Sequence, residues 1–322
     1  MTMTNPTPID LFFKKKDAND LRLGNKVQSI DLETETAPAG SILVLGYPDD
    51  EGIHINAGRL GAAQAPNRIR QYFYKTTWLK NFEQKNWKLL DAGDLNTEQK
   101  TQLEKHSTAE ILAERAFASG AFVFSLGGGH DYAFNDANGF LKQHAHGKFG
   151  NPIVINFDAH LDVRDDKNGF NSGSAFYRMI NRFNPDTFEF FEVGIQTQCN
   201  SSYHLEWAKT KRAHLITLEE TTQFLNDLKN HDSFRSRKSI WLSLDIDVFS
   251  YALAPGCSQS WATGLNLDAF LKSLDFLFAN HNIAGIGIYE VSPPLDNDNH
   301  TSKLAAQVMH QCMVNLSRTP RS

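Results

Sequence analysis

Two kinds of stretch alternate along this chain of 322 residues. Short, dense apolar runs recur at 41–46, 87–91, 122–126, 153–157, 187–195, 214–218, 240–244 and 284–289. They are rich in β-branched and aromatic residues and too short for helices, so they predict buried strands. Between them apolar residues return every three or four positions. That spacing predicts helices at 67–75, 97–119, up to about residue 142, and at 172–181, 201–211, 221–228, 266–280 and 302–316. Pro66 stands where a first helical turn tolerates it. In the 97–119 stretch Leu103, Ile111, Leu112 and Ala116 fall on one side, the expected buried face. Strands alternating with helices predict an α/β protein with a mostly parallel sheet of eight strands covered on both faces. Residues 1–36 read as a polar lead with room for one short helix, and 37–322 as a single catalytic domain, since no linker, repeat or low-complexity tract divides them.

Composition narrows the function. A hydrophobic content of 41% and a charged content of 21% describe an ordinary globular protein with a sizeable core. The net charge of −5 and the dispersed Lys and Arg residues argue against a nucleic-acid or anionic-membrane partner. Lys14, Lys15 and Lys16 read as a solvated tail. The three cysteines are far apart and form no CxxC pair, which fits a reducing cytoplasm. The opening MTMTNPTPID has no apolar signal core, and no run approaches the roughly 20 apolar residues of a membrane span.

The chemistry sits where apolar runs end. The run from Ile153 closes on Asp158, His160 and Asp162; at alternate positions of extended backbone these project to one side. The run from Phe122 ends in three glycines and His130, and the run from Ile240 ends in Asp245 and Asp247. Ligands gather at the carboxyl ends of strands in open α/β sheets, so these endings are expected to converge. Four carboxylates and two imidazoles form an oxygen-rich set better suited to Mn²⁺ than to Zn²⁺, and so many carboxylates favour two ions over one.

In this order and spacing, SLGGGHD, NFDAHLD and SLDIDVF resemble the ureohydrolase family of arginases, agmatinases and formimidoylglutamases. The resemblance runs from about Ser41 to the C-terminus. It implies a three-layer α/β/α fold with an eight-stranded parallel sheet and a dinuclear manganese centre. His130, Asp158, Asp162 and Asp245 would hold one Mn²⁺, and Asp158, His160, Asp245 and Asp247 the other, with Asp158 and Asp245 bridging. The stretch EVSPPLDNDNHTSKLAA is similar to the family's closing motif, in which Glu290 would bind the amidine or guanidine of the substrate. A homo-oligomer is expected on the same grounds.

Departures from the arginase pattern point to the substrate. Ser172, Gly173, Ser174, Ala175 and Phe176 put a phenylalanine where arginases carry a histidine. That Phe, Arg164 directly after DAHLDV, and the early residues Asp50, Glu51, Gly52, Asn56, Gly58, Arg59, Gly61 and Ala62 are similar to formimidoylglutamases. Such an enzyme would convert formimidoylglutamate to glutamate and formamide, a step of histidine degradation. Its dicarboxylate substrate calls for cations; Arg59, Arg164 and Arg178 are the expected clamp, with Ser172 beside it. Asp162 is expected to carry the proton to the leaving nitrogen, with His300 a weaker candidate. The loop VFSYALAPG after Asp247 lacks the family's Asp-Pro. Agmatinase, arginase and guanidino-acid hydrolase stay open as alternatives. A single-zinc deacetylase has two carboxylates too few for this set, and a non-catalytic relative usually shows a lost ligand.

Overall fold

The computed structural model describes residues 2–145 and 147–319; Met1, His146 and Pro320–Ser322 lie outside them, and with them the outer limits of the two expected segments. In chain order the elements are β1 (Thr4–Asn5), β2 (Gln28–Ser29), β3 (Ile42–Gly46), α1 (Glu51–Ile55), α2 (Ala65–Phe73), α3 (Lys80–Gln84) and β4 (Leu89–Leu95). There follow α4 (Gln102–Ala118), β5 (Phe122–Leu126), α5 (Ala133–His144), β6 (Ile153–Phe157), α6 (Ala175–Arg182) and β7 (Glu189–Ile195). The last third holds α7 (Ser202–Thr210), β8 (His214–Thr217), α8 (Leu218–Asn226), β9 (Ser239–Asp245), α9 (Leu267–Asn280), β10 (Asn282–Tyr289) and α10 (His300–Arg318).

Among the described residues the sheet has ten strands in the order β1-β4-β3-β5-β10-β9-β6-β7-β8, with β2 also on β4. From β4 to β8 every pairing is parallel. The eight strands expected from the sequence are all present. The two additional ones come from the polar lead: β1 pairs antiparallel with Leu95 and Asp94, and β2 runs parallel beside Leu90 and Asp91. They are too short and too polar to leave a hydrophobic signature.

Both faces of the central strands are dry, as a parallel sheet requires. Ile42 and Val44 point into one core with residues of α2, α8, α9 and α10, while Leu43 and Leu45 point into the other with residues of α4, α5 and α6. The result is a three-layer α/β/α sandwich. One helix reads differently from expectation. On α4, Leu103 and Ile111 are exposed at 64% and 46%, whereas Lys105 and His106 are buried beside Leu112 and Ala116. Polar partners explain the reversal: Lys105 Nζ reaches Asp49 at 2.6 Å, and His106 Nε2 reaches Asp131 at 2.9 Å. Thr101 caps this helix through the Glu104 N–H, so it begins later than its polar approach suggested.

Four strands position the site. β5, β10, β9 and β6 are adjacent at the centre of the sheet, and their carboxyl ends lead into His130, Glu290, Asp245 and Asp158.

Candidate metal centre

His130 owes its position to glycine. The chain leaves β5 through Gly127, Gly128 and Gly129, and the N–H groups of Gly128 and Gly129 donate to the carbonyls of Tyr47 and Asp49 at 2.8 and 2.9 Å. A Cβ on Gly128 would lie 1.8 Å from the Asp49 carbonyl oxygen, so no other residue permits that approach. The turn sets the His130 ring into the sheet edge, fully buried. Its Nε2 lies 2.8 Å from Ser243 Oγ. Its Nδ1 faces Asp162 Oδ2 at 2.8 Å, Asp158 Oδ2 at 3.1 Å and Asp245 Oδ2 at 3.3 Å. None of the three contacts has hydrogen-bond geometry, which leaves Nδ1 a buried nitrogen without a hydrogen-bond partner among the described residues. With the proton on Nε2 toward Ser243, an Nδ1 lone pair and three carboxylate oxygens point at one another. That arrangement suits a cation between them.

The other acids converge by turns rather than by pleating. β6 stops at Phe157, and Asp162 adopts a left-handed backbone with φ 47° that brings its carboxylate back beside Asp158. The alternation of Asp158, His160 and Asp162 along an extended strand, expected from their spacing, therefore does not occur. Asp158 Oδ1 accepts the His160 N–H at 2.6 Å, and His160 Nδ1 lies 3.1 Å from Asp247 Oδ2. Asp245 ends β9, and its carboxylate accepts the Asp247 N–H at 2.9 Å, opening the short 3-10 turn Ile246–Val248. Glu290 follows β10, also left-handed at φ 63°, and its carboxylate accepts the His130 N–H at 3.0 Å. Left-handed backbone at an ordinary residue costs about 1–3 kcal/mol, and such strain collects at functional positions.

The donor atoms fall into two groups, each within 4.8 Å: His130, Asp158, Asp162 and Asp245, and Asp158, His160 and Asp247. Asp158 belongs to both, and Asp245 to the first. The charges are out of balance. Burial, reinforced by Asp247 and Asp158, pushes the Asp245 carboxyl well above its ordinary range; burial and Asp158 raise Asp162 to about 6. Burial would depress both imidazoles, yet the carboxylates around them hold His130 and His160 well above the usual histidine value. Protons are standing in for positive charge, as expected of an oxygen-rich set built for divalent cations. The donor set fits a pair of Mn²⁺ ions.

A cavity of about 240 Å³ opens on these groups and is lined by His160, Asp162, Asp245, Asp247 and Glu290, together with Asn56, Arg164, Ser172 and Trp261. Ser172 Oγ accepts from Asn56 Nδ2 at 3.0 Å. Arg164 crosses Gly173, where a Cβ would come within 2.8 Å of its Cδ. The other expected cations are elsewhere. Arg59 donates through Nε and Nη2 to the carbonyl of Ser258 at 3.0 and 2.8 Å, and through Nη2 to that of Cys257 at 3.0 Å, so its fork is spent on backbone. Arg178 lies over the rings of Phe134 and Phe170 and opens on a different cavity. His300 is exposed at the start of α10, and Phe176 packs its buried ring 5.5 Å from His130.

Sequence reading passed over the residues behind the donors. Ser243 holds His130 Nε2; Asn156 donates to Asp158 Oδ2 at 3.2 Å and to the buried Glu192 at 2.8 Å. Both lie two residues before an expected ligand, on the same side of the strand, and that alternation was the signal available.

Comparison with known proteins agrees with this geometry. The chain is 31% identical over 273 residues to a formimidoylglutamase of Streptococcus gordonii, covering 82% of this chain and 80% of that protein. It is 28% identical over 320 residues to a formimidoylglutamase of Aeromonas hydrophila, covering 97% and 99%. Among solved structures, formimidoylglutamase from Bacillus subtilis superposes with a TM-score of 0.81 at 22% identity, covering 96% of each chain. Trypanosoma cruzi formiminoglutamase with Mn²⁺ gives a TM-score of 0.79 at 24% identity, covering 94% of this chain and all of that one. Residues 40–315 match the Arginase family, and the chain belongs to it.

Proposed function

We propose that this protein is a dinuclear manganese hydrolase that cleaves formimidoylglutamate to glutamate and formamide. The observation that carries the metal chemistry is His130 Nδ1, ringed by three carboxylates and hydrogen-bonded to none. His130, Asp158, Asp162 and Asp245 would hold one ion, and Asp158, His160 and Asp247 the other, with Asp158 shared. When bound, the pair supplies a nucleophilic hydroxide near neutral pH.

The chain's own residues do the rest. Glu290 is fixed by the His130 N–H at 3.0 Å and lines the cavity, so its carboxylate can take the N–H groups of a flat amidine and aim the formimidoyl carbon at the donor cluster. Water adds to that carbon, the bond to the glutamate nitrogen breaks, and a proton must reach that nitrogen. We assign this proton transfer to Asp162, whose carboxylate lines the cavity and lies 2.8 Å from His130 Nδ1. Arg164 and Ser172 line the same cavity and form the carboxylate-binding side. Relatives named formimidoylglutamase over more than four-fifths of the chain support this substrate over arginine or agmatine. The three free cysteines fit a cytoplasmic setting, and the family resemblance a homo-oligomer.

The test is a substrate panel on Mn²⁺-loaded protein: formimidoylglutamate, arginine, agmatine and guanidinobutyrate. Formimidoylglutamate should be hydrolysed preferentially, and preference for agmatine would overturn the substrate while leaving the metal chemistry. Arg164→Ala should raise KM about tenfold or more with metal content unchanged, the loss of one charge-assisted hydrogen bond of about 1.5 kcal/mol or more. An unchanged KM removes Arg164 from the clamp.

A further inference from the structure

Arg178 lines a second cavity, about 630 Å³, bounded by α4, α5, α6 and the loop carrying Asp166 and Phe170. Its guanidinium carbon lies 3.8 Å from the ring centroid of Phe134 and 3.6 Å from that of Phe170, a cation held between two aromatic faces. Among the described residues no carboxylate oxygen lies within 4.0 Å of its nitrogens, and its one side-chain hydrogen-bond contact is His106 Nδ1 at 3.5 Å. Asp166 lines the same cavity and likewise has no ion-pair partner within 4.0 Å among the described residues. Glu110 is already taken, by Arg182 at 2.6 Å. One space therefore presents an open cation and an open anion that do not pair with each other, with Leu103, Phe134, Phe170 and Tyr177 around them. Burial, the leading cause, lowers the Arg178 guanidinium to about 10, although the charges of Asp131, Asp166 and Glu110 act to raise it.

We propose that this cavity binds an apolar α-amino acid as its zwitterion. The carboxylate would take the open edge of Arg178, the ammonium would face Asp166, and the side chain would lie against the aromatic wall. A guanidinium fork matches a carboxylate bidentately, and an opposite charge on the same ligand would pair with Asp166, which has no ion-pair partner within 4.0 Å among the described residues. This site is separate from the metal centre and does not depend on the chemistry proposed there. It also touches the metal-bearing loop: His106 Nε2 lies 2.9 Å from Asp131, the residue after His130.

The test is calorimetric titration of the intact protein with L-phenylalanine, beside 3-phenylpropionate, which lacks the ammonium, and phenethylamine, which lacks the carboxylate. L-Phenylalanine should bind, each comparator should bind about tenfold or more weakly, and Arg178→Gln should lose a similar factor. Arg164→Ala, in the other cavity, should bind L-phenylalanine as the wild type does. No heat at millimolar L-phenylalanine, wild-type affinity in Arg178→Gln, or equal binding of 3-phenylpropionate would each overturn the proposal. Should Arg178→Gln fail to fold, Asp166→Asn at the cavity rim decides: its affinity for L-phenylalanine should fall to that for 3-phenylpropionate, and unchanged affinity sinks the idea.

Discussion

At the scale of single residues, the candidate donors rest on polar neighbours inside the strands, Ser243 against His130 and Asn156 against Asp158. Asp158, His160, Asp162, Asp245 and Asp247 announce themselves because polar residues ending apolar runs are costly unless they have a task. Ser243 and Asn156 sit inside such runs and look like ordinary small polar residues of a strand. Yet Ser243 Oγ, 2.8 Å from His130 Nε2, is what turns Nδ1 toward the acids. Ser243→Ala should therefore weaken Mn²⁺ binding roughly 10–100-fold with the fold intact, read as metal retained after dialysis against graded free Mn²⁺. Retention equal to the wild type would show that the ring needs no such anchor. Long side chains defeated sequence reading for another reason: Arg59 and Arg178 carry the chemistry expected of a carboxylate clamp, but where a flexible guanidinium ends depends on contacts distant in the chain.

At the scale of elements, hydrophobic patterning located the eight strands from β3 to β10, because all but the edge strand β8 are buried on both faces and read as dense apolar runs. It failed on α4. Counting apolar residues puts Leu103 and Ile111 inside, while the structure buries Lys105 and His106 through polar partners and leaves those two in solvent. The difference is measurable. Leu103→Gln and Ile111→Lys should each change unfolding free energy by no more than about 0.5 kcal/mol, whereas Leu112→Ala should cost about 2–5 kcal/mol in denaturant titration. A large loss from Ile111→Lys would mean that this face is covered in the working protein. The lead was missed by the same logic: strands of two residues, such as β1 and β2, carry no periodicity at all.

At the scale of the whole molecule, that lead completes the sheet. β1 and β2 both pair with β4, which would otherwise expose its outer edge beside Asp91 and Leu95. An uncovered parallel strand invites pairing with other chains. Truncation ahead of Ile30 should leave the metal centre assembled but make the protein self-associate, seen as growing particle size in light scattering; a truncated chain that stays as dispersed as the full one would refute this. The strand order carries a consequence in time. β9 and β10 lie between β5 and β6, although they come last in the chain. A ribosome that has released only the first two-thirds of the polypeptide has thus delivered His130 and Asp158 into a sheet still missing its middle. Manganese can be captured in full only by the finished chain, so loading follows synthesis rather than accompanying it.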